Sequence, residues 1–229
     1  MTTYAIIAVV SYLLGSIPFG YILVKVFLKQ DIRATGSGNI GATNVGRTGR
    51  KGLAIATLFL DAGKGLLAVW LVPYVASGFV GDIWLSDLFV YHGPPWSLER
   101  SVAALFAILG HLFPIWLKFK GGKGVATGAG AFIALAPKAV VLVLVLFAVL
   151  VLIFRYVSLG SMIATAAFPV AVYFLTDYKS PLVIAIIAVC ALLIIAKHHA
   201  NIRRLIAGTE NRLGAKPKIP PPQEMEKQA

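Results

Sequence analysis

The run Ala139-Val140-Val141-Leu142-Val143-Leu144-Val145-Leu146-Phe147-Ala148-Val149-Leu150-Val151-Leu152-Ile153-Phe154 contains no polar side chain. A helix at a protein–water boundary keeps one polar face, and strands are shorter, so a run of this length calls for lipid. Working outward, further apolar runs cover about Tyr4–Leu28, Gly52–Val75, Ser101–Leu117, Gly124–Ala136, Ser158–Thr176 and Pro181–Ala196. Most approach the ~20 residues that cross a bilayer. The Gly124–Ala136 run is short, which membrane proteins tolerate where protein encloses the helix or it lines a polar cavity. The expected fold is an all-α polytopic membrane protein with about seven transmembrane helices, one of them short.

Composition points the same way. The chain has 229 residues, 59% of them hydrophobic and 13% charged, with a mean hydropathy of +0.84. Soluble domains average about 45–50% apolar and about 25% charged, so a soluble enzyme and a disordered chain are both excluded. The formal charge of +12 reads as a topology signal and not as a nucleic-acid footprint. No Lys or Arg precedes the first run, and Lys25, Lys29 and Arg33 follow it, which places the N-terminus outside. Seven helices then put Arg47, Arg50 and Lys51, the Lys118–Lys123 cluster, Arg155 and the basic C-terminal region on the cytoplasmic side. Arg100, Lys138 and Lys179 remain outside. Merging the short run with its neighbour gives six helices and inverts either the first loop or the basic tail. The segment Ser77–Glu99, with Trp84 and Trp96, reads as an outside interfacial stretch. Residues 1–213 read as a single transmembrane domain and 214–229 as a disordered, Pro-rich cytoplasmic tail. The lone Cys190 excludes an intramolecular disulfide and a cysteine-based metal site.

Three polar segments share the expected cytoplasmic side. In Gly36-Ser37-Gly38-Asn39-Ile40-Gly41-Ala42-Thr43-Asn44 the G-x-G-x-x-G spacing lacks a preceding strand, so the dinucleotide reading fails. Small residues still let backbone N–H groups approach an anion, and Arg47 and Arg50 add charge. The stretch Lys118-Phe119-Lys120-Gly121-Gly122-Lys123-Gly124-Val125-Ala126-Thr127 is not a P-loop, but it opens the short helix, whose N-terminus favours anions. In Lys197–Glu210, helical spacing puts His198, Asn201 and Arg204 on roughly one face. Asp61 and Lys64, at i, i+3 inside the second run, read as a pair that orients helices, while His92 and His111 have no partner visible in the sequence. There is no carboxylate cluster for a two-metal site, no His-x-x-x-x-Asp and no G-x-S-x-G.

Taken in order, Ser37–Asn44 with Arg47, Gly121–Thr127, and His198-x-x-Asn201-Ile202-x-Arg204-Leu205 with Gly208-Thr209-Glu210 resemble the bacterial acyl-phosphate glycerol-3-phosphate acyltransferase family. Leu60-Asp61-Ala62-Gly63-Lys64-Gly65 is similar to that family as well, and the resemblance runs from about Tyr4 to Leu213. It implies transfer of a fatty acyl group from acyl phosphate to the 1-hydroxyl of sn-glycerol 3-phosphate. The products are lysophosphatidic acid and inorganic phosphate, made at the cytoplasmic face of the bacterial inner membrane. It implies no cofactor and no metal, with the two phosphorylated substrates and membrane lipid as partners and no nucleic acid. Carried over onto this sequence, Ser37, Arg47, Lys123, His198 and Asn201 are the expected catalytic residues. Gly36, Gly38, Asn39, Thr43, Asn44, Gly121, Gly122, Gly124, Thr127, Arg204 and Glu210 are the expected substrate-binding residues.

The residues are compatible with direct attack of the glycerol hydroxyl on an already activated carbonyl. The leaving phosphate or His198 would take the proton, and Ser37, Asn201 and loop N–H groups would stabilise the phosphate and oxyanion. Two other classes remain open on the sequence. One is a secondary transporter of an anionic metabolite, and the other is a scaffold whose basic face binds anionic lipid.

Overall fold

The computed structural model describes residues 2–77, 98–176 and 180–214. All regular structure among them is helical: α1 Thr2–Ser16, α2 Phe19–Leu28, α3 Ala42–Gly46, α4 Lys51–Trp70, α5 Val72–Ser77, α6 Leu98–Leu112, α7 Val125–Ile133, α8 Pro137–Phe154, α9 Val157–Leu175, α10 Pro181–Ala196 and α11 His199–Ile206. Residues 78–97 of the expected interfacial stretch Ser77–Glu99, and residues 215–229 of the expected tail 214–229, lie outside the described residues.

Five stretches are long and apolar enough to cross a membrane: Thr2–Leu28, Lys51–Val75, Leu98–Leu117, Pro137–Phe154 and Val157–Leu175. The pair α10–α11, bent by 55°, makes a sixth if counted as one span. The remaining expected run forms α7, which at about 1.5 Å per residue is roughly 14 Å long, half a bilayer core. It survives in the bundle because it is enclosed. Gly65 of α4 lies against the Thr127 backbone, and Gly130 of α7 against that of Ala62, so the two helices touch main chain to main chain. α1 and α6 meet the same way through Gly15 and Gly110.

Ile108, Leu112, Ala131, Leu135, Val172, Val183 and Ile187 form the centre of the core. The outer faces stay apolar, with Phe59 at 70%, Phe174 at 75% and Leu152 at 80% exposure, as a lipid-facing surface requires. The first span is broken at Ile17–Pro18, where proline removes a donor. At this break the Ile17 carbonyl accepts a 2.7 Å hydrogen bond from Lys64 Nζ, which also pairs with Asp61 at 2.8 Å. The i, i+3 pair therefore ties α4 to the α1–α2 break.

Candidate active site

The first polar segment is folded by one side chain. Asn44, buried at the N-terminal part of α3, donates through Nδ2 toward the carbonyls of Ile32 (3.2 Å), Thr35 (3.0 Å) and Asn39 (2.8 Å), and its Oδ1 accepts from Ser37 N at 2.8 Å. Its amide is spent on the loop, so it shapes the site instead of holding a ligand. Asn39 Oδ1 closes a turn by accepting from Gly41 N at 2.8 Å. Gly36 has φ +60°, and a Cβ there would overlap Asn44 Oδ1. This framework leaves Ser37 exposed beside Asn39, Thr43 and Arg47 on one wall of a cavity, with Gly38 outside the lining.

The second segment departs from the expectation that both of its paired glycines admit an anion. Gly122 N donates to the His111 carbonyl at 3.0 Å, and a Cβ on Gly122 would collide with the His111 ring. One on Gly121 would collide with the His111 carbonyl and Pro114. Both glycines are required by packing against α6, and neither lines the cavity. Lys123 and Gly124, the next two residues, do line it. Thr127 is fully buried, with Oγ1 3.1 Å from His111 Nδ1. His111 thus has partners the sequence did not reveal, and Asp61 Oδ1 lies 3.6 Å from the same ring nitrogen.

In the third segment, Asn201 and Arg204 on α11 converge as their spacing suggests, and the point of convergence is Glu210. Its carboxylate accepts from Asn201 Nδ2 (2.7 Å), Arg204 Nε (2.6 Å) and Ser158 Oγ (2.7 Å). Because a carboxylate only accepts, the amide nitrogen of Asn201 must face it. Asn201 Oδ1 is left buried without a partner. The sequence suggested Asn201 as an oxyanion donor; the geometry presents an acceptor. His198, 2% exposed, has Nδ1 2.8 Å from the Ile194 carbonyl. That carbonyl fixes the proton on Nδ1 and leaves Nε2 as the acceptor of a neutral ring.

Ser158 went unnoticed in the sequence, and its position as a hydroxyl at the start of a basic-flanked helix was the only available signal. Tyr156 went unnoticed too, and Arg155 was read only as a cytoplasmic charge. Arg212 Nε donates to Tyr156 Oη at 3.0 Å, and Arg155 Nη2 donates to the Leu213 carbonyl at 3.0 Å, so the segment after α11 is strapped over α9.

The three segments meet on one cavity of about 1720 Å³, against about 300–1,000 Å³ for an ordinary ligand pocket. Its polar end holds Ser37, Arg47, Lys123, His198, Asn201 and Glu210. From there apolar walls run between α7, α8, α9 and α10, including Phe132, Val143, Phe147, Phe168 and Ile187. Ile55, Leu58 and Leu144, all exposed, flank it where the outer surface faces lipid.

Electrostatics divide the polar end. Burial lowers the Lys123 ammonium to about 8; Glu210 opposes the shift, while Arg204 and Arg47 reinforce it. Burial lowers His198 to about 4, against its bond to Ile194. Burial alone would raise the Glu210 carboxyl, but its three donors outweigh this and hold it below the ordinary range. Among the described residues, Arg204 is ion-paired while Arg47 and Lys123 are in no salt bridge. Chemically, two uncompensated cations stand beside two unspent acceptors, His198 Nε2 and Asn201 Oδ1. No group of three or more His, Cys, Asp or Glu suited to a metal occurs among the described residues.

A family model described as glycerol-3-phosphate acyltransferase matches residues 5–208. The glycerol-3-phosphate acyltransferase of Mesorhizobium japonicum is 45% identical over 218 residues, covering 94% of this chain and 100% of that protein. That of Rhizobium etli is 44% identical over 209 residues, 91% of each. Two crystal structures of PlsY (YgiH), an integral membrane glycerol 3-phosphate acyltransferase, are similar at 34% identity. The glycerol 3-phosphate form has a TM-score of 0.78 and covers 92% of this chain and 96% of its own. The lysophosphatidic acid form has a TM-score of 0.76, with 92% and 95% covered.

Proposed function

Since the chain belongs to the glycerol-3-phosphate acyltransferase family, we propose a mechanism in which the polar end of the cavity binds two phosphates and the apolar walls take a fatty chain. The protein is an integral membrane glycerol-3-phosphate acyltransferase of phospholipid synthesis that produces lysophosphatidic acid. This replaces the anion-transporter and scaffold readings.

The donor in this mechanism is a fatty acyl phosphate, and the acceptor is the 1-hydroxyl of glycerol 3-phosphate. The hydroxyl oxygen forms a bond to the acyl carbonyl carbon, and the carbon–oxygen bond to the phosphate breaks. The leaving phosphate departs with the hydroxyl proton as inorganic phosphate. Arg47 and Lys123 hold the phosphates, and Ser37 donates at the mouth. His198 Nε2 and Asn201 Oδ1 accept from glycerol hydroxyls and so aim the nucleophile. Glu210 keeps the Asn201 oxygen pointing inward. A neutral histidine with a low pKa orients the hydroxyl without being an obligatory proton store, and the activated donor needs no covalent enzyme intermediate.

The observation that carries this reading is the pairing of Arg47 and Lys123, outside any ion pair, with the orphaned Asn201 oxygen at the head of an apolar cavity. Purified protein given palmitoyl phosphate and glycerol 3-phosphate should release phosphate and lysolipid in equal amounts. Activity with acyl-CoA but not with acyl phosphate would sink the donor assignment.

We propose that the site lies at the cytoplasmic face of the bacterial inner membrane, with the short α7 counted beside the six candidate spans to give seven helices, the N-terminus outside and residues 214–229 as a cytoplasmic tail. The distribution of Lys and Arg supports this. In a Cys190→Ala background, cysteines at the exposed positions 37, 120 and 203 should react with an impermeant thiol reagent from the cytoplasmic side only. Reaction from opposite sides would overturn the topology.

A further inference from the structure

The proposed chemistry gives no task to a buried polar cluster, two of whose members, Asp61 and His111, reach the cavity wall. Asp61, Lys64, His111 and Thr127 are each 4% exposed or less, and they come from α4, α6 and α7. Charge within a membrane bundle is expensive, and joining helices is already achieved by the glycine contacts. The cluster has a direction. Lys64 anchors Asp61 to the α1–α2 break, Asp61 lies 3.6 Å from His111 Nδ1, and Thr127 Oγ1 lies 3.1 Å from the same nitrogen. The opposite edge of the ring, at Nε2, bears on the Gly122 backbone, whose N–H donates to the His111 carbonyl at 3.0 Å. The residue after Gly122 is Lys123. It is followed by Gly124 at φ +85°, which begins α7.

We propose that His111, clamped by Asp61 and Thr127, is a positioning residue for Lys123. Its ring is the surface on which the Gly121–Gly124 turn is moulded, and its tilt sets where the Lys123 ammonium meets a substrate phosphate. This explains why the turn carries two glycines that stay out of the cavity, since any side chain at Gly122 would displace the ring. It also explains why a histidine in the third span is packed against a carboxylate on one side and bare backbone on the other. The inference rests on the reading of Lys123 as a phosphate-binding group. A misplacement of about 1 Å costs on the order of 10² in rate, so loss of the ring should be felt through Lys123.

The test is a double-mutant cycle on the full-length enzyme with palmitoyl phosphate and glycerol 3-phosphate. His111→Ala is read as kcat/KM for each substrate in the wild-type and Lys123→Met backgrounds. The expected loss is 10–100-fold in the wild-type background and under threefold when Lys123 is already gone. His111→Gln, which keeps a polar group near Thr127 and Asp61, should recover at least a fivefold portion. Equal losses in both backgrounds would mean that His111 acts on stability or touches substrate itself, and no loss in the wild-type background would mean that the turn holds without it. Either result overturns the proposal. Should His111→Ala fail to fold, the near-isosteric Thr127→Val is carried through the same cycle with the same criteria. Failure of the functional reading looks different: the unmutated enzyme forms no lysolipid from these substrates, or Lys123→Met leaves its rate unchanged.

Discussion

Burial lowers the Lys123 ammonium to about 8, which puts the charge proposed to bind phosphate within reach of ordinary pH. With that value the protonated fraction is roughly 0.9 at pH 7 and roughly 0.1 at pH 9. If only the ammonium form binds phosphate productively, kcat/KM falls about tenfold between these two pH values, because this quantity reports groups of the free enzyme. The sign follows from the charge: activity is full below the Lys123 pKa and lost as pH rises through it. Bound phosphate stabilises the ammonium, so the corresponding fall in kcat lies at higher pH. The neighbours make the argument specific. Glu210 raises the Lys123 pKa, while Arg204 and Arg47 lower it, so Glu210→Gln should move the limb toward lower pH. Lys123→Arg keeps a charge that does not titrate below about pH 12, and it should flatten the limb even where its different geometry lowers the absolute rate. The assay is lysolipid formation from pH 6 to 9.5 at measured donor concentration, in wild type, Lys123→Arg and Glu210→Gln. A wild-type profile flat to pH 9.5, or an alkaline limb that persists unchanged in Lys123→Arg, would refute the reasoning.

His198 is depressed to about 4 and does not change charge between pH 6 and 9, so His198→Gln should lower the rate about 10–100-fold and leave the profile shape intact. Any acid limb near pH 6 belongs to the second ionisation of the substrate phosphate, at about 6; its disappearance in the variant would make His198 a general base. Gly122→Ala should cost about 1–3 kcal/mol of stability because its Cβ strikes the His111 ring, and this is read as a lower melting temperature in detergent. An unchanged melting temperature with only a raised KM would restore the anion-contact role. Phe132 and Phe168, with ring centroids 4.7 Å apart, stand roughly 10–15 Å along α7 and α9 from the polar end at about 1.5 Å per residue. Phe168→Leu should favour longer acyl chains, with about fourfold in kcat/KM per added methylene from about 0.8 kcal/mol each, and an unaltered chain-length preference would remove the pair as a stop.

What could be read from the chain before its structure depended on how far apart the interacting residues lie. The Ala139–Phe154 run became α8 because a helix this apolar satisfies its backbone internally whatever its neighbours are. The convergence of Asn201 and Arg204 was legible because a helix repeat fixes it locally. Their meeting point on Glu210 was half legible, and Ser158, 52 residues from Glu210, was not legible at all. His111 looked partnerless for the same reason: its contacts arrive from α4 and α7 through bundle packing that no local pattern encodes. Gly121 and Gly122 are a different case. A glycine reports that a Cβ is not tolerated without saying what occupies the space, and here the nearest atoms belong to the end of α6 and Pro114.

The cluster around Lys123 also explains why an acidic residue belongs in a site built for anions. Arg47, Lys123 and Arg204 crowd the polar end, and like charges in a low-dielectric pocket repel more strongly than in water. Without a counter-charge, Lys123 would deprotonate further and lose its purpose. Glu210 prevents this at a distance, and it does so without capturing Lys123, because three of its roughly four acceptor sites are taken by Ser158, Asn201 and Arg204. A carboxylate with more free lone pairs would compete more strongly with the substrate phosphate for the cations. The three donors therefore make Glu210 a field and not a ligand: it keeps Lys123 charged in part, leaves Arg47 and Lys123 outside any ion pair, and in the proposed mechanism turns the Asn201 oxygen toward the glycerol. The same argument requires that Ser158→Ala, which frees one more lone pair of that carboxylate, weaken phosphate binding. A rise in KM for at least one phosphorylated substrate with kcat little changed is the expected result, and unchanged KM values for both would show that the filling of Glu210 is incidental.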